Sequence, residues 1–209
     1  MIPPLSSFLI VPLLGLAIQS VLAASPDTEL ALVPWPEHVT LAQGQLVLSQ
    51  QSRVLTEKAA LAPLAEILSA EIRQTHNLRL ATGIGPAGAD DIGLMLDPAL
   101  KGEAYVLEVT DTKATVRGAN YNAVAMGTVT LLQALRQSGA LVTLPALTVN
   151  DQPQSTYCGT MVDVARRYNS IDSLKQIVLM CRLYKIRFLH LHLTDDQAWT
   201  FPSKTYPQL

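Results

Sequence analysis

The chain has 209 residues, with 15 Lys and Arg against 17 Asp and Glu, which gives a formal net charge of −2. This balance argues against a nucleic-acid-binding protein, because such a protein needs a basic surface to displace counterions from phosphates. Hydrophobic residues make up 49% of the chain and charged residues only 15%, whereas soluble domains carry roughly 25% charged residues. The length allows one or two ordinary domains, but a complete (β/α)8 barrel alone takes about 250 residues.

Part of the hydrophobicity lies near the N-terminus. Phe8 to Ile18 form an unbroken apolar run of 11 residues, followed by the small-residue stretch Val21-Leu22-Ala23-Ala24. A secretory signal needs an apolar run of about 7–15 residues and small residues at its cleavage site, while a membrane-spanning helix needs about 18 or more. We therefore expect residues 1–23 to be a signal peptide and the protein to be exported, periplasmic or secreted, without stable membrane insertion. A membrane anchor or a buried apolar arm is the alternative, because no Lys or Arg precedes the run.

Residues 24–153 have the pattern of a small α+β domain, an entry segment around Pro34 and Pro36 followed by strands that pack on two helices. Alternating or short apolar runs predict strands after Gly44, at 92–96, at 105–109 and at 114–118. The glycines of 83–90 predict a loop. Apolar residues at helical spacing predict helices at 59–74 and 121–137, the second with Gly139 as its C-terminal stop. The buried stripe of the first helix is Leu61, Leu64, Ala65, Leu68 and Ile72.

From Pro153 onwards the pattern changes to strand, helix and strand. Strands are expected at 159–165 and 186–193, with Ser170 as the N-cap of the intervening helix. This order and spacing predict a βαβ unit with parallel strands. The helix should bury one stripe, which consists of Leu174, Ile177, Val178, Cys181 and Tyr184. Cys158 and Cys181 are the two cysteines of the chain, and we expect both to be buried free thiols rather than a disulfide.

Polar side chains follow both strands of this βαβ unit. Arg166 ends the first strand, and Asp195 and Asp196 follow the second. Because active sites of parallel α/β folds lie at the carboxyl ends of the strands, these side chains should meet at one edge. A guanidinium fork and carboxylates are suited to holding the vicinal hydroxyls of a sugar. The plainer interpretations are a solvated Arg166-Arg167 pair and a carboxylate that only caps a helix.

His190 and His192 alternate along the second strand and share one face. Two imidazoles on one strand face can ligate a metal ion, as in metal-dependent hydrolases. A buried histidine is more often a hydrogen-bonded core residue. The sequence therefore leaves a metal-dependent hydrolase using His190 and His192 as an alternative.

The segment from Gly159 to Tyr168 and the segment from His190 to Trp199, about 30 residues apart, resemble the opening of the catalytic barrel of glycoside hydrolase family 20, the β-N-acetylhexosaminidases. The two segments read GTMVDVARRY and HLHLTDDQAW. Upstream, the Glu103-Ala104-Tyr105 segment and the stretch from Met126 to Gln133 resemble the small domain that precedes this barrel. Cys158 departs from the family pattern, which has Arg at that position, and Leu191 replaces a Trp. The fold implied is an α+β leading domain over 24–153, followed by the first βαβ part of an incomplete (β/α)8 TIM barrel over 154–209.

The resemblance also implies site roles. Arg166 matches the arginine that binds hydroxyls of the terminal sugar, while Asp195, His192 and Asp196 belong to the supporting network. The family hydrolyses terminal β-linked N-acetylglucosamine or N-acetylgalactosamine through the substrate's own acetamido group, which needs an Asp-Glu pair. No Asp-Glu dipeptide occurs in these 209 residues. We therefore expect N-acetylhexosamine-terminated glycans as partners, no cofactor or metal, no catalytic residue within this chain and no turnover by it alone. A non-catalytic carbohydrate-binding protein is the other alternative.

Overall fold

The computed structural model describes residues 30–208, in which the chain forms two β-sheets and three α-helices. The signal peptide predicted for residues 1–23 lies outside the described residues. No helix within 30–208 is both long and apolar enough to cross a membrane.

The larger sheet and its helices occupy residues 38–151 and are called the large-sheet unit below. Its described strands are β1 His38–Leu48, β2 Arg53–Thr56, β3 Ala81–Ile84, β4 Ile92–Leu96, β5 Tyr105–Val109, β6 Ala114–Gly118, β7 Arg136–Ser138 and β8 Leu141–Asp151, and its α-helices are α1 Ala62–His76 and α2 Tyr121–Ala134. The eight strands follow the order β1-β8-β5-β6-β4-β2-β3, with β7 paired to β8. Helix α1 packs against β2 and β3, α2 packs against β5 and β6, and the two helices contact each other. The unit is thus rich in sheet and has few helices.

A single apolar core lies between this sheet and its helices. The predicted stripe is confirmed, because all five of its side chains are at most 1% exposed. Four of them lie on α1, and Leu61 lies in the 3₁₀ turn Ala59–Leu61 directly before it. All five belong to one buried cluster together with residues of the central strands, including Leu94, Leu107 and Val116. At the start of α2 the Asn120 side chain accepts a hydrogen bond from the Ala123 N–H at 3.0 Å, the expected geometry of an N-cap.

Four local predictions for the large-sheet unit were wrong or incomplete. Strand β1 begins at His38 and continues through Gly44, whose φ of +103° accommodates a register shift between Leu41 and Gln45. Residues 81–84 form the edge strand β3, although the glycines suggested a loop. Helix α2 ends at Ala134, because the next residue, Leu135, has an extended backbone. Gly139 therefore does not end the helix; with a φ of +60° it lies in the turn of the β7–β8 hairpin. The long strand β8 was not predicted, and it pairs with both β1 and β5.

The smaller sheet contains β9 Gly159–Asp163 and β10 Phe188–His192, joined by helix α3 Ile171–Leu183. The two strands are parallel, as predicted, and we call this part the βαβ unit. Ser170 is the N-cap of α3, because its hydroxyl accepts the Ser173 N–H at 3.1 Å.

The predicted burial of the βαβ unit was partly wrong. Of the stripe on α3 only Cys181 is buried, whereas Val178 and Tyr184 are 53% and 44% exposed. A two-stranded sheet offers too little apolar surface to cover a helix of this length. Cys158 is also exposed, although both thiols are free as expected. It precedes β9, and its backbone oxygen accepts the N–H groups of Arg187 and Phe188.

Candidate functional site

The carboxyl ends of β9 and β10 meet at one edge of the smaller sheet. The register places His192, the last residue of β10, opposite Asp163, the last residue of β9. The His192 carbonyl then accepts the N–H groups of Val164 and Ala165, each at 3.1 Å. These bonds fix the chain where it leaves β9, so that the next residue, Arg166, lies beside the segment that follows β10.

Arg166 lies between two carboxylates. Its Nη1 donates to Asp163 Oδ2 at 2.7 Å, and its Nη2 forms an ion pair with Asp195 Oδ2. Asp163 Oδ1 also accepts the backbone N–H groups of Ala165 and Arg166, both at 3.0 Å. The Arg166 side chain is 47% exposed. Since a guanidinium has five N–H donors and these two contacts use two, the fork retains donors that can face a ligand.

Asp195 is the most connected acid of the cluster. Its Oδ2 is 2.8 Å from His192 Nε2, and its Oδ1 accepts the Asp196 N–H at 2.7 Å. Hydrogen bonds with the Asp196 side chain, with His192 and with the Asp196 backbone, together with the Arg166 charge, hold the pKa of Asp195 well below its usual range. Asp195 is therefore ionised at neutral pH and can hold the cation of Arg166.

The two other charges of the cluster reinforce each other. The Arg166 backbone N–H and guanidinium lower the pKa of Asp163, and the hydrogen bond to Asp163 raises the pKa of Arg166. A carboxyl group with a lowered pKa stabilises the folded form at neutral pH and loses that contribution as the pH falls through its folded value. We expect the cluster to stay ion-paired across the neutral and weakly acidic range.

The structure brings together three of the sequence-predicted site residues, Arg166, Asp195 and His192. Asp196 adjoins them, but its side chain is exposed. His190 is exposed on β10, and no contact within residues 30–208 joins it to Arg166 or Asp195. The sequence analysis did not single out Asp163. Its signal was an opposite charge three residues before Arg166, at the end of the predicted strand.

The geometry suits recognition of hydroxyl groups. Within the described part of the chain, no group of three or more His, Cys, Asp or Glu side chains could hold a metal ion. The proposed metal pair of His190 and His192 thus lacks a third ligand there. A fixed guanidinium flanked by carboxylates presents donors and acceptors side by side, as the vicinal hydroxyls of a sugar require.

Two family models and several curated relatives match the sequence of this chain. Residues 29–152 match the model of glycosyl hydrolase family 20, domain 2, and residues 156–209 match that of the glycosyl hydrolase family 20 catalytic domain. The chain is 28% identical over 196 residues to a beta-hexosaminidase of Vibrio furnissii, covering 91% of this chain and 31% of the relative. It is 30% identical over 193 residues to a beta-hexosaminidase of Porphyromonas gingivalis, covering 88% of this chain and 25% of that one.

The fold has solved counterparts as well. The crystal structure of a family 20 exo β-N-acetylglucosaminidase from Vibrio harveyi in complex with N-acetylglucosamine superposes with a TM-score of 0.78 at 26% identity, covering 85% of this chain and 28% of that one. The chain thus spans about a third or less of the length of these relatives. The two family models together match most of the sequence, and the chain belongs to glycosyl hydrolase family 20.

Proposed function

We propose that this chain supplies the part of a β-N-acetylhexosaminidase site that holds the hydroxyl groups of a terminal N-acetylhexosamine. The observation that carries the proposal is the position of Arg166, ion-paired to Asp163 and Asp195 at the carboxyl ends of two parallel strands. Family membership supports the same assignment. In this proposal residues 24–153 form the leading domain, and residues 154–209 contribute the first strand, helix and second strand of a (β/α)8 barrel.

The geometry of the cluster supports a role for each of its residues. Arg166 donates its remaining N–H groups to sugar hydroxyls, and its plane is fixed in advance because Asp163 and Asp195 each hold one terminal nitrogen. His192 holds Asp195 from the other side at 2.8 Å. A preorganised donor loses little conformational freedom on binding, so the cluster is suited to orienting the sugar ring.

Cleavage of the glycosidic bond requires further residues. In the mechanism of family 20 the substrate's acetamido oxygen is the nucleophile, an aspartate orients this oxygen and a glutamate protonates the leaving oxygen. The chain has no Asp-Glu dipeptide, and Asp195 is engaged with Arg166 and His192. We therefore assign sugar recognition to this chain and no turnover to it alone.

Sugar binding can be tested by saturation-transfer NMR with N-acetylglucosamine. We expect weak binding to the 209-residue chain, with a Kd on the order of millimolar, because only one edge of a site is present. Arg166→Met should abolish it, and Arg166→Lys should weaken it because a lysine keeps the charge but loses the planar fork.

Arg167→Met is the matched control, because Arg167 is the adjacent exposed arginine and lies outside the cluster. It should bind as the parent chain does. Equal binding by the Arg166 and Arg167 variants would contradict the proposal. Release of nitrophenol from 4-nitrophenyl N-acetyl-β-glucosaminide by the purified chain would contradict the absence of turnover.

We also propose that the protein is exported, because residues 1–23 have the sequence pattern of a signal peptide. Expression with the complete leader should give a mature protein that begins at Ala24, which N-terminal sequencing of the extracytoplasmic fraction can check. A retained Met1 in that fraction would contradict cleavage.

A further inference from the structure

The end of α3 and its connection to β10 carry three positively charged side chains that are largely buried. Residues 182–187, named the basic turn here, read Arg-Leu-Tyr-Lys-Ile-Arg and contain three cations and no anion. The side chains of Arg182, Lys185 and Arg187 are only 21%, 7% and 16% exposed. Charged side chains buried to this extent require partners of opposite charge, because a buried charge without a partner strongly destabilises the folded state.

Arg182 reaches the helices of the large-sheet unit. Its Nε and Nη2 donate to the two carboxylate oxygens of Glu71 on α1, at 2.5 and 2.8 Å. Its Nη1 and Nη2 also donate to the Ala125 carbonyl and the Thr128 hydroxyl on α2, at 3.3 and 3.2 Å. A bidentate pair of this kind fixes direction as well as distance.

Lys185 enters the end of the large sheet. Its Nζ donates to the Tyr105 hydroxyl at 2.8 Å and forms an ion pair with Asp151 at 3.3 Å. The Tyr105 hydroxyl in turn donates to Asp151 at 2.6 Å and contacts Thr130 at 2.6 Å. Lys185 has a left-handed φ of 56°, which turns the chain from α3 towards β10.

Arg187 completes the set immediately before β10. Its Nη1 forms an ion pair with Glu103, in the segment before β5, and its Nη2 donates to the Ser155 carbonyl at 2.7 Å. Gln133 of α2 adds a neutral contact, because its Nε2 donates to the Leu183 carbonyl at 2.8 Å. Three acids from three separate segments of the large-sheet unit therefore converge on six consecutive residues. We call Glu71, Glu103 and Asp151 the acidic triad.

We propose that the acidic triad is a docking surface that orients the basic turn, and through it β10 and the Arg166–Asp195 cluster at the opposite end of that strand. Strand β10 connects the basic turn to the cluster, because it begins at Phe188, directly after Arg187, and ends at His192, which contacts Asp195. The effect on sugar binding rests on the proposed function, whereas the docking itself does not.

A charge-reversal cycle on the full chain tests the docking. Glu71→Arg and Arg182→Glu should each raise hydrogen-exchange rates of the β10 amides at least tenfold, while amides of the β5–β6 pair keep their rates. The double variant restores an opposite-charge pair and should bring β10 exchange back to within about threefold of the parent. Reversal of the exposed pair Asp172 and Lys175, 90% and 70% exposed, is the matched control and should change nothing.

The same variants are titrated with N-acetylglucosamine. We expect the single reversals to weaken binding severalfold and the double variant to recover it. Unchanged exchange rates of the β5–β6 amides exclude general loss of stability as the cause. Unchanged β10 exchange in the single variants, or no recovery in the double variant, would overturn the docking. Altered exchange with parental sugar affinity would overturn the coupling to the cluster. Exchange that responds and recovers in a chain that binds no sugar supports the docking and instead refutes the proposed function.

Discussion

Gly127 of α2 provides a direct test of how the large-sheet unit is packed. A Cβ added at this position would lie 2.5 Å from Val116 Cγ1 and 2.9 Å from Tyr105 Cδ2, both closer than atoms can approach. Val116 and Tyr105 are 0% and 1% exposed, so neither has free space to move into. The substitution Gly127→Ala therefore sets helix propensity against core packing.

The relative sizes of these two effects decide whether Gly127→Ala stabilises or destabilises the fold. Alanine in place of glycine inside a helix gains about 1 kcal/mol, whereas overpacking a well-packed core costs about 1–3 kcal/mol. Movement of the Tyr105 ring would also disturb its hydroxyl contacts with Asp151, Thr130 and Lys185, at a net cost of about 0.5–1.5 kcal/mol for a hydrogen bond. We expect a net loss of about 0.5–3.5 kcal/mol in the free energy of unfolding.

Urea unfolding followed by circular dichroism measures this loss. The control Ala70→Gly, at an exposed position inside α1, should cost about 1 kcal/mol from propensity alone. Val116→Ala removes the nearest clashing atom, so the double variant with Gly127→Ala should lose less than the sum of the two single losses. A Gly127→Ala chain at least as stable as the parent, or strictly additive losses, would refute the packing argument.

Three further predictions concern single contacts. Asp91 is a buried carboxyl group; burial raises its pKa, but hydrogen bonds from Arg53 lower the pKa overall. Asp91→Asn should therefore reduce the free energy of unfolding by about 1.5–3 kcal/mol at pH 7. Urea titrations should show the difference between parent and variant shrinking as the pH falls through the folded pKa of Asp91. Asn120→Ala removes the N-cap of α2 and should cost about 1 kcal/mol by the same assay, while an unchanged midpoint would count against the cap. Asp163→Asn should weaken N-acetylglucosamine binding about three- to tenfold with Arg166 intact, because one of two carboxylates that fix the guanidinium is lost; equal affinity in the NMR titration would show that Asp195 alone suffices.

Much of the fold could be predicted because local patterns and tertiary structure agree. The stripe of α1 repeats at helical spacing, and it is buried as a unit. The strand-helix-strand order after Pro153 allows few arrangements, and the parallel pairing of β9 and β10 follows from it. The position of Arg166 beside Asp195 was predictable for the same reason.

The remaining features depend on long-range partners. Strand β8 contains Pro145 and becomes a strand by pairing with β1 on one side and β5 on the other, which no local pattern reveals. Gly139 fits a helix stop and a hairpin turn equally well until the partner strand is known. The contacts of the basic turn with the acidic triad join residues 34 to 111 positions apart in the chain. A run of cations in a sequence indicates a solvated surface more often than an interface.

The most direct test of the central assignment is to map amide chemical shifts of the 209-residue chain during titration with N-acetylglucosamine. We predict that the shifted amides cluster at the carboxyl ends of β9 and β10, around Ala165, Arg166 and Asp195, and that this pattern is lost in Arg166→Met. Shifts confined to the opposite end of these strands or to the large-sheet unit, or no shifts at concentrations well above millimolar, would contradict it.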